Sequence, residues 1–361
     1  MSLLPTQPPQ PPQPPQPPQD PPVPPRPRDL PPGINVTKTH VVRTFSIDDV
    51  PLTTCRIDPT GRFVVAAAEN FEIYRWPLAG PQSARTILHG HNSWVRSFDF
   101  SPDGRWLYSG GYDDRIGIWP LADPEPTPER MLVAHEGWVR WVRTSPDGSL
   151  LASCGNDNLL KLWDTRTWEL VHVFKGHQRY PYAVVFHPDG KRLASFDLMG
   201  VIKEWDIASG KSTRQWEAKF MWGFDQKFRA DMGGARDMRF SPDGKYLAVA
   251  GLTEVTNAFA GTHKPMVLLM DWEKGEFKKK LKIDSGGMAW GIRFHPEGFL
   301  VGSGSPSGSL WFWKLDGDKP FHTFKLSGGG RAVDLSPDGR QAAVAQTDRK
   351  LQIVQFTAKS A

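Results

Sequence analysis

The chain has 361 residues, of which 39% are hydrophobic, and a formal net charge of +5 at pH 7. This length fits one large all-β domain or two ordinary domains, and so small a positive excess does not by itself indicate nucleic-acid binding. The two cysteines lack CxxC spacing, which argues against a disulfide framework or a cysteine metal site, and the sequence predicts neither a signal peptide nor a membrane-spanning helix.

The N-terminal segment is dominated by proline, because 16 of the 34 prolines fall within the first 33 residues. Such a segment cannot bury a core and adopts solvated polyproline II. We predict a disordered Pro/Gln-rich tail over residues 1–38 and a folded domain over residues 39–361. The tail is expected to act as a spacer; the alternative is that the PxxPxR pattern at residues 21–26 docks to a proline-binding domain.

A four-residue turn pattern recurs seven times in the remainder of the chain. The copies are DPTG at 58–61, SPDG at 101–104, SPDG at 145–148, HPDG at 187–190, SPDG at 241–244, HPEG at 295–298 and SPDG at 336–339. Proline presets φ and glycine tolerates a positive φ, so each copy should join two antiparallel strands. Seven copies, most of them at a period of about 40–45 residues, predict an all-β fold, a seven-bladed β-propeller of four-stranded antiparallel blades.

A large apolar residue stands at one fixed distance after the turn proline in six of the seven copies. These residues are Trp76, Trp119, Trp163, Trp205, Trp313 and Val354, and the fifth copy instead reaches Met270, after a longer interval from Pro242. A bulky side chain at a constant offset suits the stacking of one blade on the next.

These landmarks resemble the WD-repeat β-propeller family over residues 39–361. The Gly-His element of that family is present as Gly90-His91 and Gly176-His177, with His135 in VAHEGW, and the Trp-Asp element as Trp163-Asp164 and Trp205-Asp206. Each of the three histidines precedes its tryptophan by the same interval. The agreement of seven copies in phase is more specific than any single motif.

The resemblance also implies how the ring closes. The seventh copy ends after its third strand, so the outermost strand must come from elsewhere. The N-terminal segment HVVRTF fits, because the interval from Phe45 to Pro59 equals the interval from Leu88 to Pro102. We therefore predict closure by an N-terminal strand.

Serine, histidine and aspartate recur together, which raises the question of a catalytic triad. The sets are His91, Ser109, Asp113 and Trp119; His135, Ser153, Asp157 and Trp163; and His177, Ser195 and Trp205, with Met199 at the aspartate position. A catalytic site needs one preorganised constellation, whereas these sets repeat on consecutive blades. The resemblance implies buried hydrogen-bonded clamps, so we predict no catalytic residue, metal site or cofactor. Blades lacking a member should rely on hydrophobic packing alone.

Two insertions, within residues 219–234 and 252–264, each lengthen the repeat by about 11 residues. The propeller strand order places both on one face above blade 5. The first insertion carries Phe220, Met221, Trp222, Phe224 and Phe228. Exposed, these aromatics would suit a protein partner; the alternative is that they fold back over the blade as a private core.

The resemblance places the start of each innermost strand at the rim of the central channel. Eight residues before the turn prolines stand Trp94, Trp138, Tyr180 and Met288, and two residues further on stand Arg96, Arg140, Arg236, Trp290 and Arg331. With Tyr112, these residues form the predicted partner-binding face. Tryptophan and arginine favour a protein hot spot or an acidic or phosphorylated peptide; the alternative is that these residues share no ligand.

The sequence thus predicts a non-catalytic, monomeric, cytoplasmic scaffold that binds proteins or peptides and no membrane. One alternative is a polyanion or nucleic-acid binder that uses the arginines at the channel mouth. Another is a propeller hydrolase or lactonase, for which the innermost strands offer only Asp99 and Asp237 as carboxylates.

Overall fold

A computed structural model describes residues 34–257, 262–283 and 285–357. In these ranges it contains seven four-stranded antiparallel sheets and one separate two-stranded hairpin. The predicted all-β, seven-bladed propeller is thereby confirmed. The proline-rich segment through residue 33 lies outside the described residues. No helix in the described ranges has the length and apolar character needed to cross a bilayer.

The first four blades follow one another along the chain, after an initial strand β1 (His40–Ser46). Blade 1 comprises β2 (Leu52–Ile57), β3 (Phe63–Ala68), β4 (Ile73–Pro77) and β5 (Thr86–Leu88). Blade 2 comprises β6 (Val95–Phe100), β7 (Trp106–Gly111), β8 (Arg115–Pro120) and β9 (Arg130–Val133). Blade 3 comprises β10 (Val139–Thr144), β11 (Leu150–Gly155), β12 (Leu160–Asp164) and β13 (Leu170–Phe174), and blade 4 comprises β14 (Pro181–Phe186), β15 (Arg192–Asp197), β16 (Val201–Asp206) and β17 (Lys211–Glu217).

The remaining blades follow the hairpin of β18 (Trp222–Asp225) and β19 (Ala230–Gly233). Blade 5 comprises β20 (Asp237–Phe240), β21 (Tyr246–Asn257), β22 (Thr262–Asp271) and β23 (Glu276–Lys282). Blade 6 comprises β24 (Gly287–Phe294), β25 (Phe299–Pro306), β26 (Ser309–Lys314) and β27 (His322–Lys325), and blade 7 contains β28 (Gly330–Leu335), β29 (Gln341–Gln346) and β30 (Lys350–Gln355). Short 3-10 turns occupy Val36–Lys38, Gln82–Ala84 and Lys219–Met221.

The outermost strand of blade 7 comes from the other end of the chain. β1 runs antiparallel to β30, with His40 opposite Gln355 and Ser46 opposite Lys350. Just before β1, the backbone N–H of Asn35 donates to the carbonyl of Phe356 over 2.8 Å, and Val36 is buried. Residues ahead of β1 therefore also pack on blade 7.

The turn tetrapeptides have the backbone that their composition predicts. The glycine of every copy adopts a positive φ, between 67° and 82°. In blade 2 the Ser101 hydroxyl donates to Asp103 over 2.6 Å and accepts from the backbone N–H of Trp106 over 3.0 Å. This local network holds β6 and β7 in register.

The core is divided among the contacts between blades. Seven clusters of buried apolar residues lie in the described part of the chain, one between each pair of neighbouring blades. Each cluster contains one of the landmark residues, Trp76, Trp119, Trp163, Trp205, Met270, Trp313 or Val354. The landmarks thus stack blade on blade, as predicted.

Candidate functional site

An exposed row of aromatic rings lies at the start of the innermost strands. Tyr112 stacks on Trp138, with ring centroids 4.1 Å apart and planes inclined by 6°, and Trp94 lies 6.4 Å from Tyr112. The Trp94 indole Nε1 donates to the carbonyl of Glu69 over 3.0 Å. Trp94 and Trp138 are nevertheless 41% and 42% exposed, and Tyr180 is 37% exposed. The rings are therefore fixed in position but open to solvent.

Arg140 joins this aromatic row to the channel mouth. Its guanidinium carbon lies 4.0 Å from the ring centroid of Tyr182 and within 5.4 Å of those of Trp138 and Tyr180. Its Nε donates to Asn156 over 2.6 Å. Through these contacts Arg140 holds the aromatic rings in place. Because it is only 8% exposed, it offers little surface of its own to a partner.

Arginine and aromatic side chains alternate around the channel mouth. Arg236 lies 4.9 Å from the ring centroid of Tyr182 and 5.4 Å from that of Trp290. Arg96 lies 5.1 Å from the Trp290 ring, and Arg236 Nε approaches Met288 Sδ at 3.3 Å. Such cation–π contacts fix the guanidinium groups without neutralising them.

The other arginine predicted at this rim is neutralised. Arg331 forms an ion pair with Glu69, a residue that sequence reasoning did not select. Arg96 and Arg236 form no ion pair with any described residue. Arg140 also has no ion pair among the described residues but is buried, so the accessible positive charge of the mouth is concentrated on Arg96 and Arg236.

A β-bulge directs the side chains at the channel mouth. In six innermost strands the register with the next strand shifts at one residue: Thr53, Arg96, Arg140, Tyr182, Trp290 or Arg331. A bulge re-aims the side chain of the extra residue. Four of them, Arg96, Arg140, Trp290 and Arg331, are positions that sequence reasoning assigned to the rim. Blade 5 differs, because Arg236 precedes β20.

The two insertions pack against each other over blade 5. The Thr253 hydroxyl, in the extended part of β21, donates to the carbonyl of Phe220 over 2.6 Å. Met221 is fully buried, whereas Phe224 is 43% exposed. Both interpretations of the first insertion therefore apply: Met221 folds back over the blade, whereas Phe224 is open to solvent. The tip of the second insertion, residues 258–261, lies outside the described residues.

The hairpin borders the aromatic row. Asp231 of β19 accepts a hydrogen bond from Trp222 Nε1 over 3.0 Å and lies 3.7 Å from Arg179 Nε. Arg179 directly precedes the exposed Tyr180. The hairpin therefore forms one edge of the predicted partner-binding face.

The recurring Ser–His–Asp sets are hydrogen-bonded chains. In blade 3, Trp163 Nε1 donates to Ser153 Oγ over 2.9 Å, Ser153 Oγ lies 2.8 Å from His135 Nε2, and His135 Nδ1 lies 2.8 Å from Asp157. The same three distances are 2.8, 2.7 and 2.9 Å in blade 2 (Trp119, Ser109, His91, Asp113) and 2.8, 2.6 and 2.9 Å in blade 4 (Trp205, Ser195, His177, Asp197). Every polar side chain in these clamps is satisfied internally.

The clamp of blade 4 corrects the expectation that this blade lacks its acid. Met199 occupies the aspartate position in sequence, but Asp197, two residues earlier, accepts from His177. In blade 2 the position equivalent to Asp197 is Gly111, where a Cβ would collide with the Asp113 carboxylate. The acid of a clamp can therefore come from the turn after the second strand of the blade, where that strand ends in glycine, or from the last residue of the strand itself. The sequence signal for this arrangement was an aspartate at the strand position where blade 2 has glycine.

The clamp of blade 3 favours a neutral imidazole. Burial lowers the pKa of His135, although Asp157 acts in the opposite direction. The imidazole Nδ1–H donates to Asp157 and Nε2 accepts from the Ser153 hydroxyl, so protonation of Nε2 would remove that acceptor. Because the unfolded chain binds this proton more tightly, the stability contribution is complete above the ordinary histidine pKa of 6.5 and is lost as the pH falls through the folded pKa.

We expect the free energy of unfolding to decrease as the pH is lowered from about 7 to about 5, by at most about 1.4 kcal/mol per pH unit for each such histidine. Urea titrations followed by tryptophan fluorescence measure this profile. His135→Gln should flatten it, leaving the contribution of His295, whose pKa is also lowered by burial. An identical slope in wild type and His135→Gln would contradict the assignment.

Three carboxylates lie in the channel wall, not the two that sequence reasoning named. Asp334 joins Asp99 and Asp237 and stands three residues before its turn proline, as Asp99 does. Burial alone would raise the pKa of Asp334, but Arg56 and Arg293 outweigh it and lower the pKa to about 2. Asp99 and Asp334 also accept backbone N–H groups of neighbouring blades, each over 2.8 Å. These carboxylates join neighbouring blades.

Metal-ligand geometry is absent from the part of the chain that the structure describes. Within these ranges, no group of three or more histidine, cysteine or acidic side chains could hold a metal ion.

Comparison with protein families identifies repeats in the first half of the propeller. The model described as "WD domain, G-beta repeat" matches residues 82–120, 126–164 and 168–206. Each matched segment begins near the outermost strand of one blade and ends with the third strand of the next. The three segments contain the tryptophans of the three clamps.

Curated relatives are similar to part of the chain. Protein groucho of Drosophila melanogaster is 26% identical over 144 residues, which is 39% of this chain and 20% of the relative. The Periodic tryptophan protein 2 homolog of Schizosaccharomyces pombe is 27% identical over 179 residues, 47% of this chain and 15% of the relative. Nuclear distribution protein nudF of Emericella nidulans is 26% identical over 186 residues, 46% of this chain and 42% of the relative. The matches thus span less than half of each relative.

Proposed function

We propose that this chain, a member of the WD-repeat β-propeller family, is a non-catalytic platform that binds a protein partner through the face carrying Trp94, Trp138 and Tyr180. The observation that carries the proposal is the stacked, exposed aromatic row. Its two tryptophans are 41% and 42% exposed. Tryptophan, tyrosine and arginine are the residues enriched at the energetic centres of protein interfaces.

The rigidity of the aromatic row supports this proposal. Tyr112 and Trp138 stack on each other, and Trp94 is held by its hydrogen bond to Glu69. A partner that docks on these rings would freeze few side-chain rotations, so a larger share of the contact energy would remain as affinity.

The charge of the channel mouth favours an acidic or phosphorylated segment of the partner. Arg96 and Arg236 have no ion pair among the described residues and lie next to the aromatic row. Carboxylate and phosphate groups form the strongest hydrogen bonds with arginine. Lys227 and Arg229 in the hairpin add positive charge at the edge of the face.

A polyanion or nucleic acid is the second candidate ligand, but fewer observations favour it. Arg140 is buried among aromatic rings, and Arg331 is neutralised by Glu69. A nucleic acid would need several free cations, and its affinity would fall steeply with salt in proportion to the number of phosphates contacted.

None of the three channel carboxylates is suited to act as the general acid of a hydrolase or lactonase. Asp99, Asp237 and Asp334 are each paired with arginine, and their pKa values are lowered despite burial because of these arginines. A general acid near neutral pH needs a raised carboxyl pKa instead.

We also propose that the protein acts as a cytoplasmic monomer. Its own N-terminal strand completes blade 7, so no second copy is needed to complete a sheet. Cys55 and Cys154 are buried and unpaired, as suits a reducing compartment. The Pro-rich segment ahead of residue 34 would serve as a spacer before the propeller.

Capture of partners from native lysate tests the proposed face. Replacing Trp94, Trp138 and Tyr180 together by alanine should reduce partner recovery by at least about 30-fold, because truncating each interface anchor costs about 2 kcal/mol or more. Arg140 is left intact, since it is buried and its loss would disturb the fold. The melting temperature should change by no more than about 2–4 °C. Quantitative mass spectrometry measures the recovery.

The matched control lies on the outer strand of blade 3. Leu170 and Val171 are 47% and 51% exposed, and their joint replacement by alanine should leave capture unchanged. A chain lacking residues 1–33 should also keep its partners. Retention of partners by the triple variant, or their loss on removal of residues 1–33, would place docking elsewhere.

A further inference from the structure

Two layers of arginine side chains surround a cavity inside the central channel. Arg96, Arg236 and Arg331 line it from the mouth, and Arg56, Arg143, Arg239 and Arg293 line it three residues further along the innermost strands. Among the described residues, the ion pairs formed by these seven arginines involve four carboxylates, those of Asp99, Asp237, Asp334 and Glu69. The cavity wall therefore carries an excess of positive charge.

The carboxylates are already engaged. Asp334 accepts from Arg293 Nε over 2.5 Å and from the backbone N–H of Ile57 over 2.8 Å. Asp237 accepts from Arg293 and from the backbone N–H of Met238. Little acceptor capacity remains for the other arginines of the wall.

Several buried donors on this cavity have no acceptor. They are the Nε atoms of Arg56, Arg143 and Arg239, the Trp141 indole Nε1 and the Ser97 hydroxyl, none of which has a hydrogen-bond partner in the part of the chain that the structure describes. Arg239 Nε lies 3.4 Å from Asp237, within ion-pair range but without a hydrogen bond. Buried donors are seldom left unpaired in native proteins, because each loses its hydrogen bonds to water without replacement. All five groups belong to residues that line this cavity, so one acceptor placed there would satisfy several of them.

The titration of the arginines agrees with uncompensated positive charge. Burial lowers the pKa of Arg143 to about 10, and the neighbouring Arg56 and Arg293 add to the effect, although Asp99 and Asp237 oppose it. Burial, followed by Arg143 and Arg293, also lowers the pKa of Arg239. A negative charge in the cavity would offset the repulsion between these arginines and raise both pKa values.

The size of the cavity limits what this acceptor can be. The space within the wall is about 20 Å³, which holds one or two bodies of the size of water. Toward the mouth, the Trp290 ring lies between the guanidinium groups of Arg96 and Arg236, 5.1 and 5.4 Å from its centroid. A peptide carboxylate or a nucleotide phosphate would have to displace these side chains, whereas a single monatomic anion fits.

We propose that the propeller channel binds one small monovalent inorganic anion, of the size of chloride, between the two arginine layers. The anion accepts hydrogen bonds from the free Nε–H groups of Arg143 and Arg239 and from the Trp141 indole N–H. It thereby offsets like-charge repulsion across the innermost strands and stabilises the closed ring. The site lies below the partner-binding face, whose Arg96, Arg236 and Arg331 form the upper of its two arginine layers. The proposal does not depend on partner binding.

Bromide locates the anion directly. Crystals of the full chain grown with bromide in place of chloride should show an anomalous difference peak between Arg143, Arg239 and Trp141. Bromide peaks at the protein surface with none in the channel would overturn the proposal.

Melting experiments test the same site in solution. At constant ionic strength, replacing gluconate by chloride should raise the melting temperature of the full chain in a saturable manner, as expected for binding to the folded state. Trp141→Phe, which removes one N–H and keeps most of the ring, and Arg239→Gln should raise the half-saturating chloride concentration at least tenfold. Equal melting temperatures in the two salts, or unchanged saturation in both variants, would refute the site.

Arg214 provides the matched control. It pairs with Glu204 over 2.5 Å on the outer part of blade 4, away from the channel. Arg214→Gln should lower the melting temperature equally in chloride and gluconate and keep the wild-type half-saturating concentration. A change in that concentration as large as in Arg239→Gln would show that the chloride response does not come from the channel.

Discussion

Replacing Phe45 by alanine is expected to lower the free energy of unfolding by about 3–5 kcal/mol. Phe45 lies on β1 and is completely buried. Its ring stacks on Trp76 of blade 1, with centroids 5.1 Å apart and planes inclined by 19°. It belongs to the cluster that joins blade 7 to blade 1, together with Leu351 of β30. One side chain therefore connects the closing strand to both ends of the ring.

The same strand supplies the control. Val42 is 41% exposed, and Val42→Ala should change the free energy of unfolding by about 0.5 kcal/mol or less. Urea unfolding followed by circular dichroism gives both values, and hydrogen exchange should show faster opening of the β1 and β30 amides in Phe45→Ala alone. If the two variants were equally stable, closure by β1 would contribute little to the fold.

The parts of the fold that sequence reasoning predicted are those encoded in short segments. Each SPDG-type turn needs only a proline and a glycine at nearby turn positions, and the glycines adopt the required positive φ. The large apolar residues that follow six of the seven turns at a fixed distance then fall between blades, because a constant offset repeats a constant packing position. Phe45 could be placed for the same reason, by its distance from Pro59.

What sequence reasoning missed depends on contacts between blades. Arg56 reaches Asp99 of the next blade over 2.5 Å and Asp334 of the preceding blade over 3.5 Å, and Arg331 reaches Glu69. The partners of each pair lie in different repeats and far apart in the chain, so no local pattern links them. The charge of the channel mouth was therefore overestimated, and the ion pairs within the channel were not foreseen.

The candidate face illustrates the same limit. Its residues could be selected because they occupy equivalent positions in successive repeats, but their exposure could not. Arg140 and Trp138 are two residues apart in sequence, yet one is 8% and the other 42% exposed. The difference arises from the bulge at Arg140 and from the ring of Tyr182, which belongs to another blade.

A buried serine of blade 3 should have the next largest effect. Ser153→Ala is expected to lower the free energy of unfolding by about 2–4 kcal/mol, because the change leaves two buried groups without a partner at about 1–2 kcal/mol each. The groups are Trp163 Nε1 and His135 Nε2, now 2.9 and 2.8 Å from the hydroxyl. No charge is altered, and the side chain becomes smaller by one atom.

Blade 6 contains a matched serine without a clamp. Ser303 stands seven residues after its turn proline, as Ser153 does, and it is also fully buried. The Ser303 hydroxyl and Trp313 Nε1 have no hydrogen-bond partner among the described residues, so Ser303→Ala removes no such bond and should cost about 0.5 kcal/mol or less. Chemical unfolding at pH 7.5 compares the two variants at equal burial and equal loss of volume. A similar cost at both positions would mean that packing, and not the hydrogen-bonded chain, accounts for the clamp, because the two sites differ in the histidine and acid that complete the chain in blade 3.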